Sequence, residues 1–318
     1  NDLFKKHYNL SPTSLRKQTS KNKKQDGEIT LSIGYRPPYL WDEMLKFFAG
    51  RAIAGVETVK DDKYLRTVHL ISSDGKDIYG WLKVGNNPAK NALDVTISEN
   101  LLPVLPQVLA RVRNMFDLHC DPHAIYESLS KMNDIKPNLC ILGTRLPGCF
   151  DTFEMAVRAV LGQQITVKAA STLAARVVAN YGRPVETGIE DLTHTFPTPK
   201  DVLTLDNIEE SFGKLGVISA RSRIILELAN SLINKKINFD LYANPNDEME
   251  KLLKIKGIGS WTAQYIAMRA MKWTDAFLET DVAIKKALEP LTTKEMLKIA
   301  ENWRPWRSYA NIGLWNSL

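Results

Sequence analysis

The most constraining feature of this sequence is a succession of segments, from about residue 100 onward, in which apolar residues recur every three or four positions. This spacing places the apolar side chains on one face of an α-helix, so each segment predicts an amphipathic helix. Glycine and proline, as at Pro147-Gly148, interrupt the pattern because they end helices. The predicted helices cover roughly residues 101–117, 121–132, 150–163, 166–180, 219–234, 246–254, 260–271, 281–289, 293–303 and 306–317.

Residues 28–100 carry a different pattern. Residues 40–53 have the apolar period of a helix, whereas residues 65–71 and 77–84 flank Ser73-Asp74-Gly75, a sequence typical of a β-hairpin turn. We therefore predict helices packed on an antiparallel sheet in this part. The predicted fold class is α+β, with an N-terminal antiparallel sheet and helices followed by a mostly α-helical, two-lobed core.

Length and composition narrow the class of protein. A chain of 318 residues can form two or three packed domains. It holds no run of about 18 apolar residues and no signal-peptide pattern, so we expect a cytoplasmic protein that does not enter a membrane. The three cysteines, Cys120, Cys140 and Cys149, form no C-x-x-C pair. This usage predicts a reducing compartment and no zinc site.

The formal net charge of +6 hints at a polyanionic partner, but its distribution weakens the hint. Residues 1–24 hold seven Lys and Arg against Asp2 alone, which accounts for the whole excess. The rest of the chain has equal numbers of basic and acidic side chains. A site for a polyanion in the main body must therefore be local, built from helix dipoles and a few placed cations.

The segment Ile255-Lys256-Gly257-Ile258-Gly259-Ser260 lies between two predicted helices, the first with Leu253 among its inward residues and the second starting at Trp261. Two glycines one position apart allow a tight turn with positive φ. Such a turn exposes backbone N–H groups at the positive end of the following helix dipole, where a phosphate can bind without base readout. An ordinary helical turn is the alternative.

This segment resembles the helix-hairpin-helix motif of a DNA glycosylase superfamily, in which a catalytic aspartate follows the hairpin. The aspartate at the matching distance is Asp281. The resemblance to the 3-methyladenine DNA glycosylase II (AlkA-type) enzymes extends from residue 33 to 318. It is carried by R-P-P-Y-L-W at 36–41, R-L-P-G-C-F-D at 145–151, A-V-L-G-Q-Q at 159–164, F-P-T-P at 196–199, K-G-I-G-S-W-T-A-Q-Y at 256–265 and W-R-P-W-R-S-Y-A at 303–310. Several blocks in the same order argue against chance similarity.

The resemblance implies a helix-hairpin-helix glycosylase core and a monofunctional DNA glycosylase. Such an enzyme hydrolyses the N-glycosidic bond of alkylated bases, such as 3-methyladenine, in double-stranded DNA during base excision repair. It also implies that Asp281 stabilises the oxocarbenium-like sugar or activates water. An N-cap of the predicted helix 282–289 is the structural alternative for Asp281, and Glu279 is a second-choice acid.

The flipped base must enter a pocket, and the resemblance implies its walls. They are expected to be Phe47, Trp261, Tyr265 and Trp315, whose electron-rich faces attract a positively charged alkylated purine. Ordinary core packing is the alternative for these aromatics. Val282 stands where relatives can carry a large aromatic, so the pocket is expected to be roomier and the base preference stays open.

Two further roles come from the resemblance. Trp261 stands where strand-cutting relatives of the endonuclease III type carry a Schiff-base lysine, which argues against lyase activity. Gln164, after Leu-Gly-Gln, is expected to fill the gap that the flipped base leaves; starting the next helix is its alternative. With three cysteines and none after Cys149, we expect no iron–sulfur cluster.

The hairpin is expected to bind both DNA phosphate and a cation. The residues expected at the phosphate are Lys256, Gly257, Gly259, Ser260 and Thr262. In the superfamily, backbone carbonyls bind a monovalent cation, and the matching positions are Leu253, Ile255 and Ile258. We expect no required cofactor, with Na or K as an optional ion.

Residues 1–17 resemble the end of an AraC-type (Ada-like) helix-turn-helix domain and residues 18–27 resemble a linker. On this interpretation the chain is the C-terminal part of a longer protein that joins a regulatory module to a repair enzyme. An ordinary basic N-terminal arm is the alternative.

The sequence therefore predicts a monomer made of several units. These are residues 1–27, a helix-turn-helix remnant with linker; 28–118, an N-terminal α+β domain; 119–150 with 274–318, a helical lobe carrying Asp281; and 151–273, a helical lobe with the helix-hairpin-helix motif. Two other functions stay open: a non-catalytic damaged-DNA-binding or regulatory protein, and a bifunctional glycosylase/lyase.

Overall fold

The computed structural model describes residues 27–240 and 242–318. The predicted helix-turn-helix remnant and nearly all of the predicted linker lie outside the described residues. Within the described part, no helix is long and apolar enough to cross a membrane.

The N-terminal part is an antiparallel sheet with one helix packed on it. The strands are β1 (Glu28–Gly34), β2 (Glu57–Lys60), β3 (Lys63–Ile71), β4 (Asp77–Asn87) and β5 (Ala92–Ser98). Their order is β1-β5-β4-β3-β2, and each neighbouring pair is antiparallel. The predicted hairpin joins β3 to β4, and Gly75 at its turn has a φ of +81°. Helix α1 (Trp41–Ala49) buries its apolar face in the core of this part.

The rest of the described chain is helical. The helices are α2 (Leu105–Met115), α3 (Pro122–Leu129), α4 (Thr152–Leu161), α5 (Val167–Tyr181), α6 (Pro199–Leu203), α7 (Ile208–Gly213), α8 (Ser219–Ile233), α9 (Pro245–Leu253), α10 (Ser260–Ala270), α11 (Val282–Ala287), α12 (Thr293–Ala300) and α13 (Arg307–Asn316). Short 3-10 segments and a two-stranded ladder, β6 (Arg183–Pro184) with β7 (His194–Thr195), complete it. The predicted α+β class is confirmed.

Two hydrophobic cores organise these elements. The first joins the sheet and α1 to α2, α3 and the C-terminal helices α11 to α13. The second lies among α4, α5, α8, α9 and α10. Tyr265 packs against both cores, so the aromatic residues predicted as pocket walls lie where the two cores meet. The division into three folded units stays a prediction.

One packing prediction is wrong. Leu253 was expected to point inward, but its side chain is 49% exposed. Glu248 takes the buried place on α9 because its carboxylate accepts hydrogen bonds from the Asn238 amide and from Lys251. A buried carboxylate is tolerated when hydrogen bonds compensate its desolvation, and the apolar period could not reveal this.

Candidate active site

Asp281 is the N-cap residue of α11. Its Oδ1 accepts hydrogen bonds from the backbone N–H groups of Ala283 (3.0 Å) and Ile284 (3.1 Å). These two bonds satisfy donors that the first turn of a helix leaves unpaired, and they fix the carboxylate on a rigid element. The N-cap interpretation of Asp281 is therefore confirmed.

Two indole rings converge on the same carboxylate. Trp261 of α10 donates its Nε1–H to Asp281 Oδ2 (2.9 Å), and Trp315 of α13 donates to Oδ1 (3.2 Å). Oδ1 thus accepts three hydrogen bonds and Oδ2 one. Each carboxylate oxygen offers about two acceptor positions, so Oδ2, which accepts one hydrogen bond, keeps capacity for a further donor such as water.

The other predicted aromatic residues form a continuous set with these indoles. The rings of Trp261 and Tyr265 stack with centroids 4.9 Å apart and an interplanar angle of 8°. Tyr265 and Trp315 approach to 6.3 Å, and Phe47 stacks on Trp315, also at 6.3 Å. The structure therefore brings all four aromatic residues together around Asp281.

A cavity of about 360 Å³ opens beside Asp281. This volume lies in the range of small-molecule sites, roughly 300–1,000 Å³. Trp261, Tyr265 and Trp315 line it, whereas Phe47 lies behind Trp315 and is not among the lining residues. Val282 is 82% exposed and does not line the cavity either.

Glu279, the second-choice acid, has a different neighbour. Its carboxylate accepts a hydrogen bond from Ser260 Oγ (3.2 Å), and Glu279 is not among the residues that line the cavity. Glu279 thus contacts the start of α10 rather than the aromatic set. This geometry favours Asp281 as the acid.

Sequence reasoning missed the arginines of this site. Arg51 and Arg269 line the cavity, and both guanidinium groups lie over the ring of Phe47, at 3.8 and 4.7 Å from its centre. Arg269 also donates to Tyr265 Oη (2.8 Å). Burial raises the pKa of Tyr265, but Arg269, Arg51 and Arg158 outweigh it, and the net shift of this pKa is downward.

The signal for these arginines was present in the sequence. Arg51 follows Phe47 by four residues, and Arg269 follows Tyr265 by four. Residues at this spacing are neighbours on one helix face. An arginine one turn after an aromatic pocket residue was therefore a usable clue.

The hairpin between α9 and α10 turns at Gly257, whose φ is +101°. Gly259 does not share this conformation, since its φ is −97° and it is the N-cap of α10. The predicted tight turn with positive φ is therefore present, with Gly257 in that conformation. A Cβ on Gly259 would meet nothing within 4 Å. Gly259 therefore leaves space in front of the helix N-terminus, and its backbone conformation does not require glycine.

The predicted phosphate contacts divide into two kinds. Lys256 and Ser260 are exposed beside the turn. The side chain of Thr262 is 3% exposed, and its Oγ1 accepts a hydrogen bond from Gln163 Nε2 (3.0 Å). Thr262 can thus offer a phosphate its backbone N–H but not its hydroxyl.

Gln164 lies at the tip of the loop between α4 and α5. It is exposed and has a φ of +55°, a left-handed conformation that non-glycine residues seldom adopt. Gln163 behind it donates to the Gly257 carbonyl (3.0 Å). Gln163 therefore bonds the loop to the hairpin, whereas the side chain of Gln164 is exposed and takes no part in that hydrogen bond.

One of the three carbonyls expected at a monovalent cation, that of Ile255, already accepts a backbone hydrogen bond. The Ile255 carbonyl accepts the Ile258 amide (3.0 Å), which leaves it one lone pair. Among the described residues there is no group of three or more His, Cys, Asp or Glu side chains that could hold a metal ion.

Comparison with known families identifies the class of protein to which this chain belongs. The AlkA N-terminal domain model matches residues 30–151, and the model of the HhH-GPD superfamily of base excision DNA repair proteins matches residues 157–302. The chain belongs to this superfamily of base excision DNA repair proteins, in its AlkA-type branch. The resemblance stated from the motifs is confirmed.

Individual relatives agree with this assignment. DNA-3-methyladenine glycosylase 2 of Escherichia coli (strain K12) is 34% identical over 89% of this chain and 96% of its own length. A Mycobacterium tuberculosis protein, "Probable bifunctional transcriptional activator/DNA repair enzyme AlkA", is also 34% identical, and this chain spans 64% of its length. The solved structure of a 3-methyladenine DNA-glycosylase from Archaeoglobus fulgidus has the same fold, with a TM-score of 0.73 at 20% identity over 89% of this chain and 96% of that one.

Proposed function

We propose that the protein is a monofunctional DNA glycosylase that hydrolyses the N-glycosidic bond of alkylated bases, such as 3-methyladenine, in double-stranded DNA. The observation that carries the proposal is the carboxylate of Asp281, held by two backbone amides and two indoles beside a base-sized aromatic cavity. The named activities of the relatives agree with it. We further propose that the protein acts in the cytoplasm as a monomer and requires no cofactor.

The chemistry follows from the position of Asp281. Departure of the base leaves positive charge on the sugar, and a fixed carboxylate stabilises that charge without reorganisation. The free acceptor position of Oδ2 can orient a water molecule for attack on the anomeric carbon. The aromatic set would hold the flipped base, Gln164 would fill the gap in the duplex, and the hairpin amides would hold the backbone phosphate.

The lining of the cavity supports hydrolysis without strand cleavage. In the part of the chain that the structure describes, no lysine lines the cavity, and Trp261 donates to Asp281 from the position that would carry one. A Schiff base needs an amine nucleophile beside the sugar. Borohydride therefore should not trap a covalent adduct with DNA, and a trapped adduct would favour the bifunctional alternative.

The direct test is chromatography of bases released from methylated DNA, with Asp281→Asn as the comparison. Wild type should release 3-methyladenine, and Asp281→Asn should lose at least about a hundredfold in rate, the scale of removing one charge-stabilising group. Asn can still cap the helix, so the fold is expected to survive.

Two results would count against this assignment. Wild type that binds methylated DNA but releases no base would favour the non-catalytic binding protein. Full activity of Asp281→Asn would instead remove Asp281 from the chemistry. Glu279→Gln is the matched control, because Glu279 lies nearby and is predicted to leave the rate close to that of wild type.

A further inference from the structure

Arg51 lies in the cavity in a fixed orientation. Its guanidinium carbon is 3.8 Å from the centre of the Phe47 ring and 5.9 Å from that of Trp315. A cation over an aromatic face is attracted to it, so these rings hold the guanidinium in place. Arg51 follows the last residue of α1 closely, which ties it to the same helix as Phe47.

The backbone of Arg51 is fixed by a hydrogen bond from a neighbouring arginine. Its carbonyl accepts a hydrogen bond from Arg158 Nη1 (2.8 Å). Arg158 is itself fixed by ion pairs with Glu57 and Glu154, whose side chains are each 5% exposed. The backbone of Arg51 is therefore bonded to a buried and rigid network whose charges are paired.

The other arginines that line the cavity use their guanidinium groups in ion pairs or in several hydrogen bonds within the protein. Arg66 and Arg158 pair with glutamates, and Arg269 donates to the carbonyls of Pro147 and Gly148 and to Tyr265.

For Arg51, by contrast, the described residues include no carboxylate within ion-pair distance. Its Nη1 donates to the Phe47 carbonyl (3.3 Å), and Tyr265 lies close to it. A guanidinium has five N–H donors, so Arg51 keeps donors for a bound molecule.

The charges around the cavity add a second argument. The pairs of Arg66 and Arg158 with Glu57 and Glu154 balance one another. That leaves Arg51 and Arg269 as two cations against the single carboxylate of Asp281. A base that is itself positively charged gains nothing from these guanidinium groups, whereas a neutral base with a carbonyl oxygen offers them an acceptor.

We propose that Arg51 is a specificity-determining residue, which donates hydrogen bonds to an acceptor on the flipped base and favours neutral damaged bases over cationic ones. This inference rests on the proposed glycosylase function. It assigns the selection between neutral and cationic bases to one side chain of the cavity. Arg158 is a positioning residue for it.

The test compares two substrates on the same enzyme preparation. One is a duplex with a single hypoxanthine, which is neutral and has a carbonyl; the other is methylated DNA that carries cationic 3-methyladenine. Arg51→Met should lower the single-turnover release of hypoxanthine by about tenfold or more, the effect of one lost charge-assisted hydrogen bond. Release of 3-methyladenine should stay equal or rise. The ratio of the two rates is independent of the folded fraction.

Arg36→Met is the matched control, because Arg36 forms an exposed ion pair with Asp121 and does not line the cavity. Its two rates should keep the wild-type ratio. Equal losses on both substrates in Arg51→Met, or wild type that releases 3-methyladenine but no hypoxanthine, would overturn the role of Arg51 alone. Wild type that releases neither base would instead overturn the glycosylase function.

Discussion

Asp281 unites two interpretations that the sequence left as alternatives. It caps α11, and the same carboxylate faces two indole donors at the cavity. The motif located this residue and its aromatic neighbours. It did not reveal Arg51 and Arg269, because an arginine within a helical pattern normally belongs to the solvated face. The spacing of four residues from Phe47 and from Tyr265 was a clue to them, and the fold shows that both lie over the Phe47 ring in the cavity.

At the residue scale, the indole of Trp315 should assist the carboxylate. Trp315→Phe keeps an aromatic ring beside Phe47 but removes the hydrogen bond to Asp281 Oδ1. Excision of 3-methyladenine should fall about tenfold, since a hydrogen bond to a charged group contributes on the order of 1.5–3 kcal/mol. In a double-mutant cycle with Asp281→Asn, the two losses should not add, because the indole acts through the carboxylate.

Trp306→Phe provides the comparison for Trp315→Phe. Trp306 is half-buried against Tyr309 and does not line the cavity, so its replacement should leave the excision rate unchanged. Additive losses for Trp315→Phe and Asp281→Asn would show that Trp315 contributes only to the pocket wall.

At the scale of elements, the long periodic helices were predicted nearly to their ends, but α6 and α7 were not. These two helices have five and six residues, too few to show a period of 3.6. Their starts are marked by capping residues, Thr198 and Asn207, which were the available signal. The hairpin was located correctly, but the sequence did not show that its two glycines have different roles. In the structure Gly257 takes the positive φ of the turn, whereas Gly259 leaves the start of α10 open.

This difference in role predicts opposite effects for two similar substitutions. Gly257→Ala should cost roughly 1–3 kcal/mol of folding free energy, because a φ of +101° strains alanine. Its Cβ would also lie 2.6 Å from Ile224 Cδ1. Gly259→Ala should leave stability within about 0.5 kcal/mol, since its Cβ meets no protein atom, but should weaken DNA binding by obstructing the phosphate.

Urea unfolding and DNA titration at fixed salt measure both effects. Each variant serves as the control for the other, because the same group is added two residues apart. Wild-type DNA affinity in Gly259→Ala would argue against phosphate binding at the start of α10.

At the scale of the whole molecule, the cavity depends on how the N-terminal sheet meets the helical core. Arg66 of β3 and Glu57 of β2 pair with Glu154 and Arg158 of α4 across this boundary. The sequence predicted a sheet and a helical core but not this network, because residues about 90 positions apart carry no local pattern that joins them. Four charges in a buried place are stable only when all are paired.

Removing Arg158 should therefore destabilise the whole molecule. Arg158→Met leaves Glu57 without its ion-pair partner and Glu154 with Arg66 alone, so we expect a loss of about 3–5 kcal/mol at neutral pH. The matched control, Arg36→Met, removes an exposed pair and should cost under about 1 kcal/mol. Urea unfolding of both variants and wild type measures the difference.

The pH dependence of that loss identifies its cause. Burial acts to raise the pKa of Glu154, but Arg66 and Arg158 outweigh it and hold this pKa below its ordinary value. A lowered folded-state pKa gives stability that is present above the unfolded pKa, about 4.3, and is lost as the pH falls through the folded pKa. Without Arg158, Glu154 takes up its proton at a higher pH, so the gap between variant and wild type should be largest near pH 7 and should narrow toward pH 4. A gap that is constant from pH 7 to 4 would mean that Arg158 stabilises the boundary by packing alone.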